Sequence, residues 1–126
     1  MRRPGSSALA WVGALGPPFC WAGQHIAGYA LGLADCPDNT SGPGWNVPVD
    51  AATIVVGGLA AAAALLCGLS AVAAWRATRD ADDSDAPPAG RTHFLAVIGM
   101  TITPLFLAMI VMSSAGALVF SGCVQS

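Results

Sequence analysis

Three long apolar stretches, separated by two short polar segments, most constrain what this 126-residue chain can fold into. They run over about 8–33, 51–75 and 93–120, and each reaches the roughly 20 residues that an α-helix needs to cross the hydrocarbon core of a bilayer. Only 10% of the residues are charged, against about a quarter in soluble domains. The sequence therefore predicts an all-α integral membrane protein with three transmembrane helices, forming a single membrane domain over residues 1–126.

The segments between the predicted spans have the composition of exposed loops. Residues 34–50 combine Pro, Gly, Asn and Asp, which favour turns. Residues 76–92 hold four aspartates before a proline pair, and such a composition buries little apolar surface. Pro17 and Pro18 predict a kink in the first helix, and Asp50 is placed to cap the N-terminus of the second.

The five basic residues indicate how the chain is oriented. Arg2 and Arg3 precede the first span, Arg76 and Arg79 follow the second, and Arg91 precedes the third. One orientation therefore places all of them on the same side, which the positive-inside rule assigns to the cytoplasm. We predict that the N-terminus is cytoplasmic and the C-terminus is outside (N-in/C-out), with 34–50 as the outer loop and 76–92 as the cytoplasmic loop.

The predicted location is the bacterial cytoplasmic (inner) membrane, because a chain without Lys or Glu and rich in Ala and Gly is typical of a GC-rich bacterial genome. A cleaved signal peptide is the alternative for the first stretch, since two arginines before an apolar run resemble its n- and h-regions. The run is longer than a usual h-region and carries Gln24 and His25. These features favour a membrane-spanning helix.

The four cysteines fall into two pairs by predicted depth. Cys36 and Cys123 follow the first and third helices on the predicted outer side, where neighbouring helix ends can bring Cα atoms to the roughly 4.4–6.8 Å that a disulfide requires. We predict a Cys36–Cys123 disulfide; the alternatives are two free thiols and a Cu(I) site, which two thiolates would favour. Cys20 and Cys67 lie within spans and are predicted to be small buried apolar residues.

Gln24 and His25 stand out in the first span, because polar side chains in hydrocarbon usually face protein or water. Spacings of three and four place an aromatic, polar and small stripe on one helix face: Trp21, His25, Gly28, Tyr29 and Gly32. We predict that this stripe faces a partner protein rather than lipid. A hydrogen-bonding, packing role is favoured for His25. A haem ligand is the alternative, although the second histidine, His93, starts the third span at the opposite side.

Small residues and hydroxyl groups within the spans predict how the helices pack. Small residues at close spacing let helices approach each other, and the chain offers Gly23/Ala27, Gly57/Ala61, and Ser113 with Ala117 or Gly116. The hydroxyl groups of the third span are expected to bond to carbonyls of their own helix; they belong to Thr101, Thr103, Ser113 and Ser114.

No arrangement of residues typical of an enzyme is found in the sequence. The spans contain no charged residue for a proton relay, and the chain has no Ser-His-Asp set at one depth, no phosphate-binding loop and no metal motif. We therefore predict that the protein is not an enzyme and has no cofactor and no metal site. A net charge of −2 without a basic surface argues against nucleic-acid binding.

One longer pattern resembles a known group of proteins. It consists of residues 16–31, GPPFCWAGQHIAGYAL, an outer Cys36, residues 91–100, RTHFLAVIGM, and a terminal Cys123. This pattern resembles small three-helix bacterial membrane proteins whose genes often stand beside those of haem-copper cytochrome c oxidases. In that group a first-helix tryptophan and histidine and the outer cysteines recur, and they correspond here to Trp21, His25, Cys36 and Cys123.

The resemblance implies an accessory or assembly component of a respiratory membrane complex. Together with the polar stripe and the small extramembrane mass, it predicts a non-catalytic accessory subunit or assembly factor of an electron-transfer complex linked to cytochrome oxidase. The partners are then the lipid bilayer and the larger complex. Two alternatives stay open: a protein that handles copper at Cys36 and Cys123 or haem at His25, and a small homo-oligomeric pore or transporter.

Overall fold

The computed structural model describes residues 5–35, 48–80 and 87–120, and all three segments are helical. The helices are α1 (Ser6–Asp35), α2 (Val49–Thr78) and α3 (Ala89–Val119), so the all-α prediction is confirmed. Each helix extends beyond its predicted span at one or both ends, because hydropathy marks only the apolar part of a helix.

The start of α2 corrects one local prediction. The helix begins at Val49 after Pro48, and no side chain caps it, so the assignment of Asp50 as N-cap is wrong. Asp50 lies instead in the first turn. A carboxylate there interacts favourably with the partial positive charge of the helix N-terminus, which gives the residue a stabilising role close to the one predicted.

Helix α1 runs without interruption through Pro17 and Pro18. Pro17 is fully buried, and its missing N–H deprives the Gly13 carbonyl, four residues earlier, of its usual helical donor. Helix α3 packs against that carbonyl at Gly99, where a Cβ atom would lie only 2.9 Å from Gly13 O. The buried proline therefore lies one turn from a close approach of the α1 and α3 backbones.

The three helices pack against one another in an up-down-up arrangement. Gly13 of α1 lies against Ala71 of α2, and Gly68 of α2 lies against Thr103 of α3, so α2 is antiparallel to its two neighbours. We call the end formed by the N-termini of α1 and α3 and the C-terminus of α2 the Arg76 end. The opposite end, where α2 begins, is called the Asp50 end.

Small residues fill the interior of the bundle, and large apolar residues cover its surface. Five alanines are completely buried, whereas Ile110 and Pro17 are the largest fully buried side chains among the described residues. Phe19, Ile26 and Val119 are 72%, 73% and 75% exposed. This distribution is the reverse of a soluble helical bundle, which buries its large apolar side chains.

Helices α2 and α3 are long and apolar enough to cross a membrane, with mean hydropathies of 2.2 and 2.4 over their most apolar windows. Within the described part of the chain, α1 does not reach the same apolarity, because prolines, glycines, Gln24 and His25 interrupt its apolar residues. By length and composition, two of the three predicted spans are therefore seen. Both indicate a membrane location.

Candidate functional site

A cavity of about 580 Å³ opens between the three helices at the Asp50 end. Helix α1 contributes its C-terminal half, α2 its first two turns and α3 its last two turns. The volume is within the roughly 300–1,000 Å³ of small-molecule sites in proteins. The polar residues that line it are Gln24, His25, Tyr29, Asp50, Thr53, Ser113 and Ser114.

Gln24 is the most buried polar residue of this site, at 8% exposure. Its Nε2 donates to the Ile110 carbonyl oxygen at 3.1 Å and to Ser114 Oγ at 2.7 Å. The Ser114 hydroxyl in turn donates to the Ile110 carbonyl at 2.9 Å. Because α1 and α3 are joined here by side-chain bonds and not by apolar contact alone, Gln24 fixes their relative rotation.

Only one orientation of the Gln24 amide fits these partners. A carbonyl oxygen cannot donate, so the atom facing Ile110 O must be the amide nitrogen. Gln24 Oε1 is then left buried and without a hydrogen-bond partner. An unpaired buried acceptor costs about 1–3 kcal/mol, which marks this atom as a place where a further donor would be stabilising.

His25 is exposed on the neighbouring side of α1 and is held by its own helix. Its Nδ1 lies 3.1 Å from the Trp21 carbonyl oxygen, an acceptor, so Nδ1 carries a proton, and in the neutral ring the acceptor is then Nε2. The Trp21 ring packs against the imidazole at 4.5 Å between centroids and against Phe106 of α3, edge-on, at 6.0 Å. Trp21 therefore anchors the His25 ring to the bundle.

The structure places the predicted stripe along the cavity rather than on the outermost face of α1. His25, Gly28, Tyr29 and Gly32 line the cavity, and Trp21 supports them through the contact with Phe106. Tyr29 is 72% exposed, so it also reaches the outer surface. The helical spacing grouped these residues on one face, as predicted; that this face meets a partner chain stays a prediction.

The two cysteines within the helices form a pair that the sequence reasoning missed. Cys20 of α1 and Cys67 of α2 are free and only half-buried, and the Cys67 side chain lies against Gly16, one turn before Cys20. The prediction that both are buried is therefore wrong, because each is only half-buried. The signal was available, because an antiparallel α1 and α2 bring these two positions to the same depth. Gly16 makes room for the Cys67 side chain.

The remaining predicted site residues lie elsewhere. Cys36 and Cys123 fall outside the described residues, so their disulfide stays a prediction. His93 is half-buried at the Arg76 end, with Nδ1 3.5 Å from Thr78 Oγ1, and is thus separated from His25 by much of the bundle length. Within 5–35, 48–80 and 87–120, no three His, Cys, Asp or Glu side chains are grouped to hold a metal ion.

No protein-family model, curated protein or solved structure matches this chain. The resemblance carried by residues 16–31 and 91–100 stays a prediction for that reason. The described part of the chain has a surface of large apolar side chains, a polar cavity at the Asp50 end, and no secondary structure other than helices.

Proposed function

We propose that the chain is a three-span protein of a bacterial cytoplasmic membrane and acts as a non-catalytic accessory subunit or assembly factor of a larger respiratory complex. The observation that carries the membrane assignment is that small residues fill the interior of the bundle while large apolar side chains stay exposed. Only 17% and 22% of the most apolar windows of α2 and α3 are buried within the chain. Apolar surface this extensive needs lipid or protein around it.

The packing of α1 supports its role as the third span. Its 30 residues extend about 45 Å, longer than the roughly 30 Å hydrocarbon core. Near the Arg76 end Ala10 packs with Ala74 and Ala96, and near the Asp50 end Gln24 bonds to α3. A helix in contact with two spans at both ends crosses the membrane alongside them, and its polar side chain is satisfied by protein.

The charge distribution supports the proposed orientation. Arg76, Arg79 and Arg91 all lie at the Arg76 end, whereas the Asp50 end carries Asp50 and no basic residue among the described positions. Under the positive-inside rule, the Arg76 end faces the cytoplasm. The cavity then opens at the outer face of the membrane.

The accessory role is supported by what the chain can offer to a partner. The described residues form no domain outside the three helices, so its contacts with other proteins are made by helix faces. On the predicted partner-facing stripe of α1, Tyr29 is 72% exposed, and His25, Gly28 and Gly32 line the cavity beside it. With the resemblance to proteins encoded beside oxidase genes, this face is the proposed docking surface.

A photo-crosslinking purification tests the proposal. A benzoylphenylalanine residue replaces Tyr29 on the docking surface or, as a matched control, Leu65 on the exposed face of α2; the tagged chain is then purified from native membranes in mild detergent. We expect a haem-containing complex to be retained and to crosslink from position 29 but not from 65. A chain that purifies alone, with crosslinks only to lipid, would contradict the accessory role.

The same purification separates the two alternatives. A Soret band in the chain freed from all other polypeptides would favour haem handling at His25, and bound copper would favour metal handling at Cys36 and Cys123. Crosslinks that join only copies of this chain would favour a homo-oligomeric pore. The proposal expects a colourless, metal-free chain whose crosslinks reach a different polypeptide.

A further inference from the structure

The cavity at the Asp50 end has polar groups that need a donor. Gln24 Oε1 is buried and unpaired, and with the His25 Nδ1–H directed at the Trp21 carbonyl, Nε2 is the acceptor of the neutral ring. The Asp50 carboxylate is a third acceptor in the lining. The lining contains no Lys or Arg, so nothing there would neutralise an anionic head group.

The rest of the lining is apolar and offers free space. Val56, Leu118, Val119 and Phe120 contribute apolar wall. At Gly28, one turn beyond Gln24, a Cβ atom would meet no heavy atom within 4 Å. A cavity with a polar floor and apolar walls fits a molecule with one polar head and an apolar body.

We propose that this cavity binds a neutral amphiphile whose head donates a hydrogen bond, such as a hydroxyl group carried on an apolar body. The head reaches Gln24 Oε1 at the floor, His25 Nε2 accepts a second bond where the ligand offers one, and the tail lies against the α2 and α3 walls. The site belongs to this chain alone, so it does not depend on which complex the chain joins.

Access to Gln24 needs a small movement of the amide. Oε1 exposes less than 1 Å² of surface, so the amide must turn toward the cavity before a donor can reach it, and Gly28, one turn further along α1, has no side chain that would stand in the way. The bond to the donor then compensates for the buried acceptor. Water could satisfy the same atom, so the test must separate a specific amphiphile from water and from bulk lipid.

The experiment uses a photoreactive 4-alkylphenol, carrying a diazirine in its tail, added to the full-length chain in nanodiscs. Adducts are mapped by peptide mass spectrometry and competed with unlabelled 4-octylphenol or with its methyl ether, which has the same shape but no donor. We expect adducts on residues 24–32, 49–56 and 113–120. The phenol should compete about tenfold more strongly than the ether, because the ether leaves the acceptor unpaired.

Two pairs of variants test the assigned roles. Gln24→Met removes the acceptor at similar volume, and the advantage of phenol over ether in competition should fall below about twofold. Its control is Thr101→Val, which removes an exposed hydroxyl away from the cavity. This control should leave the advantage of phenol over ether unchanged. Gly28→Leu should abolish adducts in the cavity by filling it. Gly23→Leu is its control, because Gly23 also has open space but does not line the cavity.

The proposal is overturned if adducts spread evenly over the lipid-facing residues, or if phenol and ether compete equally on the unmodified chain. Stronger competition by octylamine or octanoate than by octylphenol would overturn the neutral-donor assignment. None of these readouts involves a respiratory partner. Failure of the ligand site and failure of the accessory role are therefore distinguishable.

Discussion

Gln24 joins α1 to α3 through two acceptors, and the energy of that connection can be measured. Gln24→Met and Ser114→Ala each remove one side of the bond between Nε2 and Oγ. Hydrogen bonds between transmembrane helices average about 0.6 kcal/mol and reach about 1.7 kcal/mol. We expect a coupling of that size from a double-mutant cycle on the free energy of unfolding in detergent.

The control cycle pairs Gln24→Met with Thr101→Ala. The Thr101 hydroxyl is exposed and bonds to the Ile98 carbonyl of its own helix, so the two substitutions share no partner and should be additive within about 0.3–0.5 kcal/mol. A Gln24–Ser114 coupling no larger than this control value would mean that the amide does not hold the two helices together.

At the residue scale, the sequence indicated which side chains are unusual but not what they touch. The bonds of Thr101, Thr103 and Ser114 to their own helix carbonyls were predicted and are confirmed. The bond from Gln24 to Ser114 was missed. A bond within a helix follows from spacing alone, whereas a bond between helices depends on their rotation, which local sequence does not determine.

The close approach of the helices depends on particular glycines, and Gly13→Ala tests one that lies against the backbone of a neighbouring helix. Its Cβ would lie 2.6 Å from Ala71 Cβ and 2.8 Å from Ala71 Cα. Because Ala71 Cα is a backbone atom, it cannot rotate away from the added Cβ. Helix α1 must therefore move away from α2. We expect a loss of about 1–3 kcal/mol in the free energy of unfolding, as for other overpacked sites.

Gly23→Ala is the matched control on the same helix. No heavy atom lies within 4 Å of the added Cβ, so only helix propensity changes, by up to about 1 kcal/mol in favour of the variant. The two substitutions should therefore shift stability in opposite directions. Equal destabilisation of both variants would show that the packing at Gly13 is not as close as the structure has it.

The same comparison explains where prediction of the helix contacts failed. The small pair Gly23/Ala27 was expected at a close approach, yet Gly23 faces open space, whereas Gly57 does lie against Ser114. Small residues are so frequent in this chain that their spacing marks several faces of each helix. Which face is used follows from contacts distant in sequence, such as Gly13 with Gly99.

The register of α1 against α2 can be tested through the thiols of Cys20 and Cys67. In a background where Cys36 and Cys123 are replaced by serine, copper-phenanthroline in membranes should oxidise the pair to a disulfide, since Cys67 packs against Gly16, one turn from Cys20 on the same helix. A protease site placed between α1 and α2 would yield two fragments. We expect these fragments to remain joined until a reductant is added.

The control moves one thiol to another face of the same helix. The control variant combines Cys20→Ser with Gly23→Cys. A Cβ atom at position 23 meets no heavy atom of another helix within 4 Å, so the new thiol has no partner nearby. The two fragments should therefore separate without reductant. Crosslinking of equal yield in both variants would show that the thiols meet by random collision. Absence of crosslinking in the Cys20/Cys67 background would contradict the register.

At the scale of the whole molecule, the number and direction of the helices followed from the sequence, because long apolar runs and turn-forming segments are local features. The sequence also placed Arg76, Arg79 and Arg91 on one side, and the up-down-up bundle brings them to one end. The cavity could not be predicted. It lies between three helices at the Asp50 end, and its lining comes from segments almost 100 residues apart.

The proposed crossing predicts which positions are reachable from each side of the membrane. Single cysteines are introduced at Asp50, at Arg79 and at Ala62, an exposed position midway along α2, in a chain without its native cysteines. A membrane-impermeant maleimide should label position 50 in intact cells and position 79 only in inverted vesicles. Position 62 should stay unlabelled in both, because thiols within hydrocarbon neither ionise nor meet the reagent.

Labelling of position 79 but not of position 50 in intact cells would show that the orientation is the reverse of the proposed one. Labelling of position 62 from either side would contradict a membrane span at α2.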